Sequence, residues 1–175
     1  MIKALIANAE SLDIDAQDIL SITQNKTAVV AYHLLGGYSS IDALLQPHGS
    51  VVILWEVEGE WKGHFTCLYF DASQLHYFDS YGMSPSKDKD HSTWDLEMGT
   101  PNYLQRLLDA YEPGYTQNTV DYQQWSGDVN TCGRWTGLRI RTRLTVSAQR
   151  FEQLFHAANG DMWVSAITLL DTTRL

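Results

Sequence analysis

The sequence predicts an α+β fold: a mixed, largely antiparallel central sheet packed by helices. Three observations carry this. Strand-like runs follow one another from Ser50 to Asp79 with only tight turns between them, which describes an antiparallel meander. Helical patterns precede and follow that block, with one further strand among them, an order that places helices around a sheet. At 175 residues, 44% of them hydrophobic and 11% aromatic, the chain is long enough to fill one core and too short for two comfortable domains. Residues 1–175 are therefore expected to form a single domain.

Each element has its own signal. Leu12, Ile14, Ile19 and Leu20 fall loosely at helical spacing and predict a first helix from Ser11 to about Ile22. Val29–Tyr32 reads as a short strand. Gly36-Gly37 breaks the chain, and Ser39 or Ser40 caps a short helix ending at Leu45. Ser50–Glu56 is a β-branched run expected to be buried. Glu58-Gly59 turns it into Trp61–Phe70, and Asp71-Ala72-Ser73 turns that into Gln74–Asp79. The stretch Gly82–Gly99 has almost no apolar pattern, so a surface loop is expected. Thr100-Pro101 reads as a helix start, a capping hydroxyl followed by proline. Tyr103, Leu104, Leu107 and Leu108 carry that helix toward a stop near Pro113-Gly114. Thr116–Gln124 is expected to be a strand and Cys132–Arg143 a helix. Ser147 is expected to cap a helix to Ala158, and Asp161 a last helix through Leu170.

Charge and compartment narrow the function. Twelve basic against 21 acidic residues leave a net charge of −9, which argues against nucleic acid as the main partner. Asn8 and Glu10 interrupt the apolar N-terminus before a signal-peptide core forms. The runs Val51–Trp55 and Met162–Leu170 are far shorter than a membrane span. With only two cysteines, these features point to a reducing, intracellular setting, neither secreted nor membrane-bound, and they suit a virus protein made inside a cell.

Two cysteines also exclude a disulfide network or a four-cysteine zinc site. Cys132 lies in Asn130-Thr131-Cys132-Gly133-Arg134-Trp135, after an Asp/Asn-rich loop and at the start of a predicted helix. The positive end of a helix macrodipole favours the anionic, nucleophilic form of a thiol. On an extended Trp61–Phe70, His64, Thr66 and Leu68 face one side and Phe65, Cys67 and Tyr69 the other. Cys67 therefore points away from His64 into apolar surroundings, which leaves Cys132 as the nucleophile. Asp79 ends the next strand, fifteen residues after His64, close enough for its carboxylate to orient the imidazole. The oxyanion of an acyl transfer needs donors; the Cys132 backbone N–H and a side-chain amide of Gln123 or Gln124 are available. His33, His48, His76, His91 and His156 have no acidic partner at suitable spacing and are expected at the surface. His64 and Cys67 have no second ligand pair, so no metal and no cofactor is expected.

Gly63-His64-Phe65, Phe78-Asp79-Ser80-Tyr81-Gly82, a strand glutamine and Asn130-Thr131-Cys132-Gly133-Arg134-Trp135 together resemble the superfamily of the adenovirus protease (adenain) and the SUMO-specific proteases. The likeness is greatest to members from virophages and large DNA viruses. It runs from about Leu35 to Gly137 and keeps the order His, Asp, Gln, Cys. The resemblance implies an adenain-like cysteine protease fold with the catalytic cysteine at a helix N-terminus. It implies Cys132 as nucleophile, His64 as general base and later acid, and Asp79 as the orienting carboxylate. Gln123 is preferred for the oxyanion hole, with Gln124 left open. Phe65 stands where many members carry a tryptophan that walls a narrow channel for glycine-rich peptides. Phe65 and Gly133 are thus the expected substrate-binding residues. The implied function is a viral maturation endopeptidase that cuts capsid or other structural precursors near glycine, acting in the host cytoplasm, the virus factory or the virion. Alternatives are an isopeptidase acting on ubiquitin-like modifiers, an acetyl transferase, and a catalytically silent binding module. Adenovirus relatives are stimulated by a peptide and by DNA. A peptide activator is therefore a candidate partner here. DNA activation is not expected, because the chain is acidic and Arg134, Arg139, Arg141 and Arg143 should pair with its carboxylates.

Overall fold

The central strands show no apolar–polar alternation because both faces of the sheet are covered. In the computed structural model, which describes residues 2–56, 63–72, 74–88, 102–156 and 159–172, five strands lie in the order β1-β2-β3-β4-β5. Strands β2 (Ser50–Glu56), β3 (Gly63–Asp71) and β4 (Gln74–Asp79) form the expected antiparallel meander. Strand β1 (Ala28–Ala31) pairs parallel with β2, and β5 (Tyr115–Gln117) pairs parallel with β4. The fold is therefore α+β with a mixed sheet.

Strand parity sorts the core into two layers. Val51, Ile53, Trp55, Leu68, Leu75 and Tyr77 face the helix Tyr103–Asp109 through Leu104, Leu107 and Leu108. Val52, Phe65, Cys67, Tyr69 and Phe78 face the helix Cys132–Thr142 through Trp135, Leu138 and Ile140. Cys67 is wholly buried in this second layer, and burial pushes its thiol well above the ordinary range. That is the inert environment expected of it.

Several boundaries differ from expectation, each for a local reason. The predicted helix Ser11–Ile22 is two helices, Ile2–Ser11 and Ala16–Ile22. Asp15 accepts from the Asp18 N–H at 3.0 Å while Asp18 accepts from the Asp15 N–H at 3.3 Å, a reciprocal cap that starts a new helix. Ser40 and Ser147 cap the helices Ile41–Leu45 and Ala148–Phe155 as expected. The expected loop contains one helical turn, Pro85–Asp88. Residues 89–99 and the predicted helix start Thr100-Pro101 lie outside the described residues. The expected strand Thr116–Gln124 stops at Gln117, because the Asn118 side chain takes over the pairing with β4. It donates to the Asp79 carbonyl at 2.6 Å and accepts from the Asp79 N–H at 2.9 Å. Asp161 does not cap the last helix, Gly160–Thr168; Asn159 occupies the N-cap, and Asp161 lies inside, 2% exposed.

The arginine expectation also needs correction. Among the described residues Arg141 makes a close ion pair with Asp171 at 2.6 Å, and Arg139 a longer one with Asp71 at 3.9 Å. Arg134, Arg139 and Arg143 are buried and turn mainly to neutral oxygens. Arg134 donates to the Ala9 carbonyl and the Thr168 hydroxyl, Arg139 to the Tyr69 hydroxyl and the Val146 carbonyl, and Arg143 to the carbonyls of Ile140 and His48. The Cys132 helix is packed on most of its circumference, so its long cations thread between elements instead of reaching surface acids.

Two glycines set how close that helix comes. A Cβ on Gly133 would stand 2.8 Å from Ile14 Cγ1, and one on Gly137 would stand 2.8 Å from Ile22 Cγ2 and 3.2 Å from Ile22 Cβ. Helix propensity favours alanine over glycine by roughly 1 kcal/mol, but overpacking against a β-branched side chain costs about 1–3 kcal/mol. Overpacking wins. Gly137→Ala is expected to lose about 1 kcal/mol in urea unfolding. The Gly137→Ala/Ile22→Ala pair should lose less than the sum of the two single changes.

Candidate active site

His64 and Asp79 meet because of the β3–β4 register. Thr66 pairs with Asp79, which puts His64 on the same face, two residues toward the start of β3. Asp79 Oδ1 is hydrogen-bonded to His64 Nε2, and its Oδ2 accepts from the Met83 N–H at 2.7 Å. The turn that returns Met83 runs through Gly82 at φ +69°, where a Cβ would strike the backbone of Thr119 at 2.8 Å. Asn118 clamps the Asp79 backbone from the other side, and the carboxylate is wholly buried.

Cys132 is the first residue of its helix, half-buried, and hydrogen-bonded to His64. With Nε2 engaged by Asp79, Nδ1 is the ring nitrogen that can exchange a proton with the sulfur. Burial alone would strip His64 of its charge. The hydrogen bonds to Asp79 and Cys132 and the charges of those groups outweigh it and push the imidazole up to about 10. An imidazolium and a helix N-terminus thus converge on one thiol.

The glutamines are told apart by burial. Gln123 is 2% exposed, whereas Gln124 is exposed. Gln123 Oε1 accepts from the Ser80 hydroxyl at 2.9 Å, and its Nε2 donates to the Val129 carbonyl at 3.0 Å. Nε2 carries a second hydrogen. Gln123 thereby bridges the residue after Asp79 to the loop before Cys132. Phe65 and Gly133 meet where the Cys132 helix packs on β3: Phe65 is 7% exposed, and a Cβ on Gly133 would lie 3.2 Å from its ring.

Four residues that carry this geometry were given no part in the site by the sequence. Ser80 accepts from the backbone N–H groups of Tyr122 and Gln123 at 2.8 and 3.0 Å, and Asn118 replaces the missing strand. Asp161 Oδ1 accepts from the Thr131 hydroxyl and from Trp135 Nε1, while its Oδ2 accepts from the Gln124 N–H at 2.9 Å. It ties the segment after Gln123 to the residue before Cys132. Tyr81 stacks on His64 with centroids 5.2 Å apart; its place two residues beyond Asp79 was the available signal. Among the described residues no group of three or more His, Cys, Asp or Glu side chains could hold a metal ion, and no helix is long and apolar enough to cross a membrane.

No protein-family model matches the chain. The uncharacterized protein V9 of Sputnik virophage is 32% identical over 127 residues, covering 70% of this chain and 72% of that protein. The chain belongs to the family of that virophage protein. Among solved structures it is similar to the C-terminal Ulp1 protease domain, determined in complex with Smt3, the yeast orthologue of SUMO. That similarity is 15% in identity, with a TM-score of 0.35, over 95% of this chain and 75% of that one.

Two outcomes are expected. Folded His64 holds its proton to about pH 10, against 6.5 for an ordinary imidazole. Its contribution to stability is complete below the lower value and is lost as pH rises through the upper one. Asp79→Asn should bring the imidazole back toward its ordinary range, read by NMR titration, and should reduce urea stability at about pH 5 more than at about pH 8, where part of the contribution is already lost. Asp161→Ala strands the Thr131 hydroxyl and the indole N–H of Trp135, at about 1–3 kcal/mol for each buried unsatisfied group. Asp161→Asn keeps one carbonyl oxygen for both and should be the milder change in the same assay.

Proposed function

We propose that the protein is a cysteine endopeptidase that matures viral capsid or other structural precursors by cutting beside glycine. The observation that carries this reading is the hydrogen-bonded series Asp79–His64–Cys132, with the thiol on the first residue of a helix. Its chemistry is acyl transfer. His64 Nδ1 holds the proton given up by the thiol, and the sulfur attacks the scissile carbonyl. Asp79 holds the ring and stabilises the imidazolium. The developing oxyanion is met by the Cys132 backbone N–H and the second Nε2 hydrogen of Gln123. The imidazolium then protonates the departing amine, leaving a thioester. Water, deprotonated by His64, releases the acid and restores the thiol.

Kinship with a virophage protein supports a viral setting, and the motif resemblance supports glycine at the cleaved bond. The partner is then a polypeptide precursor, met in the host cytoplasm, the virus factory or the virion, with a peptide activator as the candidate second partner. No cofactor enters the chemistry. DNA activation is not part of the reading, because Arg134, Arg139 and Arg143 are buried, where phosphates do not reach.

The test is cleavage of glycine-containing peptides by recombinant protein. Cys132→Ala should abolish it and Cys67→Ala should leave it within a few-fold. Gln123→Ala should cost on the order of 10²–10³ in turnover, the typical cost of one oxyanion donor, while Gln124→Ala should cost little. Labelling of Cys132 by a thiol-reactive ubiquitin or SUMO probe, with no peptide cleavage, would replace this reading with an isopeptidase. Plasmid DNA should leave turnover unchanged from about 50 to 200 mM salt, the range over which phosphate contacts weaken sharply.

A further inference from the structure

Beside the imidazole an aromatic ladder leads outward. Tyr81 stacks on His64, and Trp125 stacks on Tyr81 with ring centroids 4.0 Å apart and planes at 24°. Trp125 is 62% exposed. Its indole also donates to the Asp121 carboxylate. A large aromatic is thus held by a stack and a hydrogen bond while most of it faces solvent. Exposed single aromatics are ordinary on protein surfaces; one fastened to the imidazole of a catalytic site is not. Such a group contributes contact area at little cost in conformational entropy. The frame is rigid, since Ser80, between Asp79 and Tyr81, also holds the backbone of Tyr122 and Gln123.

The surrounding charge selects the occupant. Asp121 lies at the indole edge, and Asp128 is exposed three residues further along. Burial, and then the charges of Asp161 and Asp79, hold the Asp121 carboxyl above its ordinary range, so several acids converge on this side. The face of an indole attracts cations through its quadrupole, and the chain as a whole carries −9. We propose that Trp125, backed by Tyr81 and flanked by Asp121, is a specificity-determining platform that takes an arginine or lysine side chain of the polypeptide substrate close to the scissile bond. This rests on the peptidase reading for the word substrate, but the recognition itself needs no turnover.

The test is therefore a binding measurement on the Cys132→Ala protein. The peptide acetyl-Gly-Gly-Arg-Gly-Gly-amide and its Glu and Ala analogues are titrated while the Trp125 indole N–H resonance is followed, assigned by its loss in Trp125→Phe. The arginine peptide should shift that resonance to saturation and bind on the order of tenfold more tightly than the alanine analogue. The glutamate analogue should be weaker still, and added salt should reduce the arginine advantage. Trp125→Ala should remove the preference. Asp121→Asn should reduce it while the indole still reports binding. An unmoved indole resonance, equal binding of the three peptides, or a preference that survives Trp125→Ala overturns the platform. Arginine selection with no cleavage by the unmodified protein overturns the peptidase reading and leaves the platform standing.

Discussion

The close approach of the Cys132 helix to β3 and to the helix Ala16–Ile22 is the constraint on which the rest of the structure depends. Gly133 and Gly137 are one turn apart and present no side chain toward Ile14, Phe65 and Ile22. The helix therefore settles closer than any larger residue would permit, and Thr136 donates to the Phe65 carbonyl at 3.1 Å. Phe65 is the neighbour of His64. One short contact thus links the helix bearing the thiol to the strand bearing the imidazole, and the separation of sulfur and nitrogen follows from backbone packing rather than from flexible side chains.

A second requirement comes from the chain between β5 and that helix, which has no ladder of its own. Buried backbone polar groups must still be paired. Asn118 imitates a strand toward Asp79, the Ser80 carbonyl accepts two successive N–H groups, and Asp161 gathers Gln124, Thr131 and Trp135. The irregular segment is therefore pinned at points that all adjoin the site. This explains why Gln123 can be buried and held at both ends of its amide within a stretch that lacks regular structure.

Charge is distributed with the same economy. The chain is acidic overall, yet three arginines of the Cys132 helix region are buried, and Arg139 lies over the rings of Tyr69 and Phe151 at 4.7 and 5.0 Å. Positive charge is thereby kept inside the second core layer. The carboxylates of Asp121 and Asp161 lie along the segment that carries Trp125.

The sequence by itself determined the local facts. The β-branched run Ser50–Glu56 and the turns after it specified the meander, and strand parity separated Cys67 from His64, because side chains alternate on any extended chain. The placement of Cys132 at a helix start and of Asp79 at a strand end was legible for the same reason, since caps and turns are written in neighbouring residues. Only the tertiary structure decided the rest. A run such as Thr116–Gln124 has strand character, but whether it continues the ladder depends on Asn118 meeting Asp79, 39 positions earlier. Asp161 reads as a helix cap until Thr131 and Trp135, about 30 residues back, compete for its carboxylate. Arginines on a helix suggest surface ion pairs until packing closes over them. Which of two adjacent glutamines turns inward was decided by Ser80, 43 residues away. These outcomes are set by contacts between distant segments, and spacing along the chain carries no record of which distant groups will meet.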